Sequence, residues 1–231
     1  MIQPILLLVT ILTTVQTKSS LFHPPNIQGT WQTQSQSVIT GSQFFKPEIE
    51  YLIEPNQPGI AYAFDLTTMT YETAQYLVFA NAQNHSCASA QLFWHHGRLK
   101  IKQHKVQVSN KKKQKQKQRK SRDEDKSRGD DGEEEAQFTI FLESIPDDSR
   151  QLVSDPCLDE GTLTYQRYKG NVKEVWSGVY KYDAYVGKWC LILYDEFGDT
   201  GRKIWMWLKS RDVEMLPRGR VTRKKKVYVD A

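Results

Sequence analysis

The sequence predicts an all-β fold, namely an antiparallel closed barrel with one disulfide, and leaves a β-sandwich open as the alternative. Roughly ten short segments rich in β-branched and aromatic residues are separated by turn residues at hairpin-like spacing. Several segments, such as 189–194, carry apolar side chains on both faces, which is typical of a barrel whose outer surface is partly covered. The 231 residues, of which 39% are hydrophobic, suffice for a sizeable core.

The first predicted strand opens with Gly29-Thr30-Trp31. A Gly-x-Trp sequence on a first strand resembles the opening of lipocalins, in which the tryptophan closes one end of the barrel. We therefore expect a lipocalin-like barrel with Trp31 as its barrel-closing aromatic residue. A tryptophan at this place is also compatible with an ordinary core position.

Further strands are predicted along the rest of the chain, at 60–64, 71–79, 92–94, 99–108, 137–142, 163–168, 189–194 and 204–208. Turn residues separate most of them, at Gly41-Ser42, 56–59, Gly161, Gly187 and 198–201. His95-His96-Gly97 is also predicted to be a turn, directly after 92–94. Residues 147–153 leave a short helix open as the alternative to a strand.

The amino terminus indicates the secretory pathway. Residues 5–15 form a mostly apolar stretch, which is shorter than the ~20 residues of a membrane span. It fits the core of a signal peptide that covers 1–19, although no Lys or Arg precedes Lys18. Asn84-His85-Ser86 is an N-glycosylation acceptor, so we expect Asn84 in an exposed loop and carrying a glycan.

Three cysteines follow the predicted leader: Cys87, Cys157 and Cys190. An oxidising lumen favours one disulfide and one free thiol. The residues by themselves do not select the pair.

Two charged segments fall outside the strand pattern. Residues 109–136 run from a Lys/Gln-rich block to Glu133-Glu134-Glu135, and from 111 to 135 they contain no aromatic or β-branched residue. We predict a disordered insertion at a hairpin tip and a disordered basic tail at 218–231, within a single β domain at 20–217. The net charge of +5 does not indicate nucleic-acid binding, because the basic run lacks interleaved aromatic residues and an acidic block follows it.

The sequence offers no clear catalytic or metal-binding constellation. Three histidines lie close together, at 95, 96 and 104, but His95 and His96 point to opposite faces of a strand and no carboxylate or cysteine stands at ligand spacing. The carboxylate pairs Asp195-Glu196 and Asp155/Asp159 are typical of turns. No nucleophile elbow, phosphate-binding loop or dinucleotide fingerprint is present. We predict a protein that is not an enzyme and that needs no metal or cofactor.

An ordered set of blocks resembles the fungal reversal-of-Tor-lethality (Rot) family, chaperones of the endoplasmic reticulum linked to cell-wall β-1,6-glucan synthesis. The blocks are 29–31, 52–59, 62–64, Cys87 with the small residues after it, 96–97, 151–157, 165–168, 193–194 and 215–217. The resemblance implies lumenal residence, N-glycosylation and a role in folding secretory and cell-wall proteins. It also implies a Cys87–Cys157 disulfide, and leaves Cys190 as a buried free thiol.

Two features depart from this family. Its members have a short connection in place of the charged insertion, and they end in a transmembrane anchor that is not seen here up to Ala231. Membrane association is therefore expected from the resemblance alone.

The leading functional hypothesis is a chaperone-like protein that binds unfolded or maturing secretory and cell-wall proteins through an aromatic surface or the barrel mouth. The candidate contact residues are Tyr62, Phe64, Trp205 and Trp207, each of which also suits a core position. The alternatives are a carrier of one small apolar ligand in a hollow barrel and, less favoured, a cell-wall carbohydrate-active enzyme.

Overall fold

The computed structural model of this chain describes residues 26–104, 136–155, 157, 163–168, 171–197 and 200–217. The predicted signal peptide, residues 109–135 of the predicted insertion and the predicted tail lie outside the described residues. No helix within these ranges has the length and apolar character needed to cross a membrane.

The described chain forms strands and two short 3-10 turns, at Gly41–Gln43 and His85–Cys87, with no α-helix. The strands are β1 (Gly29–Gln32), β2 (Phe45–Lys46), β3 (Tyr51–Leu52), β4 (Gly59–Asp65), β5 (Thr70–Phe79), β6 (Ser89–Gln103), β7 (Ala136–Ser154), β8 (Leu163–Tyr168), β9 (Lys173–Asp183), β10 (Lys188–Tyr194) and β11 (Lys203–Ser210).

Eight of these strands close into a barrel in the order β6-β5-β4-β1-β11-β10-β9-β7, and β7 returns to pair with β6. Every pairing is antiparallel. The prediction of an all-β, antiparallel closed barrel is thereby confirmed, and the sandwich is not the fold. Strand β8 pairs with residues 149–154 at the end of β7. Strands β2 and β3 form a separate two-stranded sheet.

The barrel interior is filled by large side chains. Alternate residues of the strands point inward and form one core: Ile27, Trp31, Ile60, Tyr62, Phe64, Tyr71, Leu99, Phe138, Ile140, Leu142, Trp176, Leu191, Leu193, Ile204 and Met206. Trp31 is fully buried there, and its indole N–H donates to the carbonyl of Ile27 at 2.8 Å. This packing leaves the inner volume to protein side chains instead of a ligand.

A second core lies on the outer face of β4, β5 and β6. It consists of Val38, Phe44, Phe45, Leu52, Ala61, Ala74, Leu92, Trp94 and Leu216. Residues 33–58 and the segment after β11 therefore cover this side of the barrel, which explains the apolar residues on both faces of these strands. The buried carboxylate of Glu72 accepts hydrogen bonds from the backbone N–H groups of Gly41 and Leu216 and so fastens both covering segments.

Three strands continue past the barrel. β4 stops pairing with β5 at Gly59↔Tyr76, and β9 stops pairing with β7 at Lys173↔Glu143. Beyond these points β5, β6, β7 and β8 form a sheet that we call the wing: residues 77–79, 89–94, 149–154 and 163–168.

The structure corrects the strand prediction at 95–97 and at β9, and decides the alternative left open at 147–153. Residues 95–97 are not a turn but a register shift inside the continuous strand β6, where Gly97 is needed because a Cβ atom would lie 2.0 Å from the carbonyl oxygen of Glu143. Residues 147–153 belong to β7 and form no helix. Strand β9 was not predicted, because Gly178 interrupts its apolar pattern; the ring of Phe138 occupies the space that a side chain would take there.

Candidate functional site

The four predicted contact residues divide into two groups. Tyr62 and Phe64 are fully buried, with stacked rings whose centroids are 5.7 Å apart. They belong to the barrel core, so the folded protein does not offer them to a partner. Trp205 is 39% exposed on the outer face of β11, with the ammonium groups of Lys181 and Lys203 at 5.6 and 4.8 Å from its ring centre. Trp207 is half-buried, and its indole N–H donates to Asp183.

A different cluster of exposed apolar side chains lies at the turn between β9 and β10. We call residues 182–189 the aromatic hairpin. Tyr185 at its tip is 99% exposed, and the other exposed members are Tyr182, Val186 and Trp189. Large apolar groups concentrated in one turn are typical of an interaction surface, whereas single exposed ones are ordinary.

Ring contacts join the aromatic hairpin to the barrel core. The fully buried Trp31 meets Tyr180 edge-on at 6.1 Å, Tyr180 stacks on Trp189 at 4.5 Å, and Trp189 meets Tyr182 edge-on at 5.5 Å. The hydroxyl of Tyr180 accepts a hydrogen bond from the guanidinium of Arg211 at 2.9 Å. The exposed rings are thus held by rings beneath them, and the surface exists before any partner arrives.

Asp183 organises the turn itself. Its carboxylate accepts from the backbone N–H groups of Tyr185 at 3.0 Å and Val186 at 3.1 Å, and from the indole of Trp207 at 3.2 Å. Gly187 closes the turn with a φ of 71°, a conformation that glycine adopts readily. The hydrogen bond from Val186 is the main reason that the pKa of Asp183 lies below its ordinary value. At neutral pH the ionised carboxylate therefore keeps Tyr185 and Val186 presented at the tip.

A polar cluster surrounds Glu174, whose side chain is 17% exposed, while the other members of the cluster are buried. Its carboxylate accepts from the hydroxyl of Tyr62 and the indole of Trp176, both at 3.0 Å. The Nε2 atom of His95 lies 3.4 Å from Glu174, an ion-pair distance without hydrogen-bond geometry, and its Nδ1 atom lies 2.9 Å from the hydroxyl of Tyr71. Burial alone would raise the pKa of Glu174, but His95 and the two donors outweigh it and lower the pKa to about 2.

The carboxylates considered as catalytic candidates in the sequence accept hydrogen bonds from nearby backbone groups or lie at the surface. Asp195 accepts from the backbone N–H groups of Phe197 and Arg202, and Asp155 accepts from that of Cys157. Asp159 lies outside the described residues, and Glu196 is exposed. Within the described ranges, no three His, Cys, Asp or Glu side chains are grouped so that they could hold a metal ion.

The tip of the wing carries the disulfide. Cys87 and Cys157 are joined, with Cα atoms 5.5 Å apart, which confirms the predicted pair. Asn84 is exposed nearby, and its side-chain oxygen accepts from the backbone N–H of Ser86 at 3.1 Å. Cys190 is free and buried on β10, where burial raises the pKa of its thiol to about 11.

The aromatic composition of residues 180–189 indicates the aromatic hairpin, although the strand pattern does not predict it. Residues 180–189 hold three tyrosines and a tryptophan around Gly187. Because β9 was not predicted, these residues were not placed on a hairpin.

Comparison with known proteins identifies relatives over most of the chain. A family model described as a fungal chaperone for protein folding within the endoplasmic reticulum matches residues 27–126 and 131–228. Protein ROT1 of Candida albicans is 33% identical over 86% of this chain and 66% of its own length. Protein ROT1 of Saccharomyces cerevisiae strain S288c is 33% identical over 83% and 60%, and that of Kluyveromyces lactis is 34% identical over 75% and 57%. The chain thus spans less than two thirds of the length of these relatives. No solved structure matches it.

Proposed function

The chain belongs to the fungal Rot1 family of endoplasmic-reticulum folding chaperones, and from that premise we propose that it binds unfolded segments of secretory and cell-wall proteins in the lumen without catalysing a reaction. Its clients would include proteins of cell-wall and β-1,6-glucan assembly. We also propose which surface of this chain binds the clients.

The observation that carries the proposal is the aromatic hairpin. Unfolded polypeptides differ from folded ones chiefly in the apolar side chains that they expose, and burial of such side chains drives association. Tyr182, Tyr185, Val186 and Trp189 offer apolar surface for that purpose. Because the rings of Tyr182 and Trp189 are already held by ring contacts, these two lose little conformational entropy when a client binds.

The two competing functions lack comparable support. A carrier needs a hollow barrel, whereas aromatic side chains fill this one. A glycosidase needs two carboxylates that face each other across a cleft and are free to act on a sugar, whereas the carboxylate of Glu174 is engaged by Tyr62, His95 and Trp176. The structure therefore favours surface binding over both alternatives.

The lumenal location is supported by three features of the chain. They are the leader-like residues 1–19, the Cys87–Cys157 disulfide and the exposed acceptor Asn84. Disulfides persist in the secretory pathway and are rare in the cytosol. Membrane association stays a prediction that rests on the resemblance.

The test is suppression of aggregation of a heat-unfolded enzyme by the purified protein without ATP. We expect the wild-type protein to suppress light scattering at a several-fold molar excess. The double variant Tyr185→Ser/Val186→Ser removes the tip of the hairpin and should lose most of this effect, because both side chains are exposed and their loss does not open the core.

The matched control is Tyr51→Ser/Ile49→Ser, which removes an equally large exposed pair from another face. We expect this control to retain wild-type suppression, and circular dichroism should show that both variants keep the β fold. Absence of suppression by the wild-type protein, or equal loss in both variants, would contradict the proposal.

A further inference from the structure

One edge of the wing lacks a partner strand. β5 pairs with β6 along its full length, whereas its pairing with β4 ends at Tyr76. Among the described strands, none pairs with the other edge of Leu77, Val78 and Phe79. Backbone N–H and C=O groups on a free strand edge are a template for another extended chain.

This edge lacks the charged residues and the prolines that usually prevent strand addition. Residues 74–83 contain no charged residue and no proline. Val78 is 43% exposed and Phe79 is 51% exposed, so apolar side chains accompany the free backbone. Proteins commonly protect such edges with lysine, proline or a covering loop.

A second edge, at the end of β6, has no partner strand on one side among the described residues and carries charged side chains. The pairing of β5 with β6 ends at Thr70↔Arg98, so the continuation of β6 to Gln103 lacks β5 as its neighbour. That stretch carries Lys100 and Lys102. The edge of β6 is thus protected by charged side chains, whereas the edge of Leu77–Phe79 carries apolar side chains.

We propose that the edge of Leu77–Phe79 binds an extended, uncharged, apolar segment of a client protein by strand addition. Backbone hydrogen bonds would hold the segment beside β5, and its alternate side chains would pack along Val78 and Phe79. The inference rests on the proposed function and names the conformation in which a client is held. An unfolded chain supplies that conformation, whereas a folded domain has its backbone groups already paired.

The length of the edge argues against a second copy of this chain as the occupant. Three residues are free, and pairing two such edges would bury far less than the roughly 1,000 Å² that a stable interface needs. Weak, short contacts suit a client that must be released.

The test measures binding of a blocked, fluorescein-labelled heptapeptide of alternating valine and threonine to the full-length protein. A second peptide is N-methylated at its internal residues, which removes the N–H donors needed for strand pairing and keeps the side chains. We expect the first peptide to bind and the second to fail. Hydrogen exchange should show new protection of those amides among residues 77–79 whose N–H points away from β6.

The variant Val78→Lys should weaken peptide binding by about five-fold or more, since a charge on the edge opposes strand addition. The matched control is Val175→Lys, at a similarly exposed valine on the outer face of β9, and it should bind normally. Equal binding of both peptides, or unchanged binding by Val78→Lys, would overturn the inference. So would a dimer in sedimentation that Val78→Lys dissociates, because the occupant would then be a second copy.

The outcome separates this inference from the proposed function. If the wild-type protein suppresses aggregation but does not bind the heptapeptide, strand addition is ruled out and the proposed function stands. If it binds the heptapeptide but does not suppress aggregation, the proposed function is ruled out and strand addition stands.

Discussion

Glu174 shows how a mostly buried carboxylate is kept ionised in this barrel. The carboxylate receives hydrogen bonds from Tyr62 and Trp176 and faces the imidazole of His95. A buried carboxylate without such partners would become protonated. Here the partners favour the ionised form, so the cluster stabilises the fold at neutral pH.

This cluster predicts a specific acid sensitivity. The pKa of Glu174 in the folded protein is about 2, below its ordinary 4.5, so its stabilisation is fully present above pH 4.5 and is lost as the pH falls toward 2. The loss is at most about 3 kcal/mol. Glu174→Gln should be less stable than wild type at pH 7, and urea unfolding should show a smaller fall in its free energy of unfolding between pH 5 and pH 2.5.

Glu48→Gln serves as the control, because Glu48 is an exposed carboxylate between β2 and β3, outside the barrel. Its pH dependence should match that of wild type. If Glu174→Gln shows the full wild-type loss on acidification, the cluster does not supply this stability.

At the residue scale, what could be predicted depended on local pattern. Strand alternation correctly placed His95 and His96 on opposite faces, as their partners Glu174 and Asp148 show. It did not reveal which tyrosines and tryptophans are core and which are surface. Tyr62 is buried and Tyr185 exposed, although both are tyrosines in a strand-rich segment. That difference is set by neighbours distant in sequence.

At the scale of elements, turn residues located most strands well. Strands β4, β5, β8, β10 and β11 agree with prediction within a residue or two at each end. β7 continues to Ser154, well past the predicted end at 142. The segment predicted at 92–94 and residues 99–103 of the segment predicted at 99–108 belong to one strand, β6, because the glycine at 97 accommodates a close backbone approach instead of ending the strand. β9 was missed for the same kind of reason, since Gly178 makes room for Phe138. A glycine inside a strand cannot be told from a turn glycine by local pattern.

The wing is the element whose stability depends most on a covalent bond. The Cys87–Cys157 bridge spans a sequence separation of 70. The chain-entropy model gives about 4 kcal/mol for closing such a loop. The double variant Cys87→Ser/Cys157→Ser should lower the free energy of unfolding by up to this amount while the barrel still forms.

Peptide mapping without reduction provides the matching measurement. Protein from the secretory pathway should give the Cys87–Cys157 peptide, a free Cys190 and a glycan on Asn84. Cys190→Ala serves as the comparison and should keep the bridge. A chain with three free thiols and no glycan would contradict the lumenal assignment.

At the scale of the whole molecule, the barrel is a rigid support with a different surface at each end. Successive strands alternate in direction, so the aromatic hairpin after β9 and the wing beyond β5 lie at opposite ends. The filled core holds the hairpin rings through Trp31 and Tyr180. Under the proposed function, clients bind the prearranged apolar surface of the hairpin.

The most direct test of this account places a photo-crosslinking side chain at Tyr185 in the protein expressed in the fungal endoplasmic reticulum. A defined secreted glycoprotein is pulse-labelled, and its crosslinks are followed through a chase. Tyr51, which is 55% exposed and belongs to neither the aromatic hairpin nor the edge of Leu77–Phe79, is the control position. We expect crosslinks from position 185 to the newly made glycoprotein that fade as it folds, with far fewer from position 51. Absence of such crosslinks, or equal yields from both positions, would contradict this account.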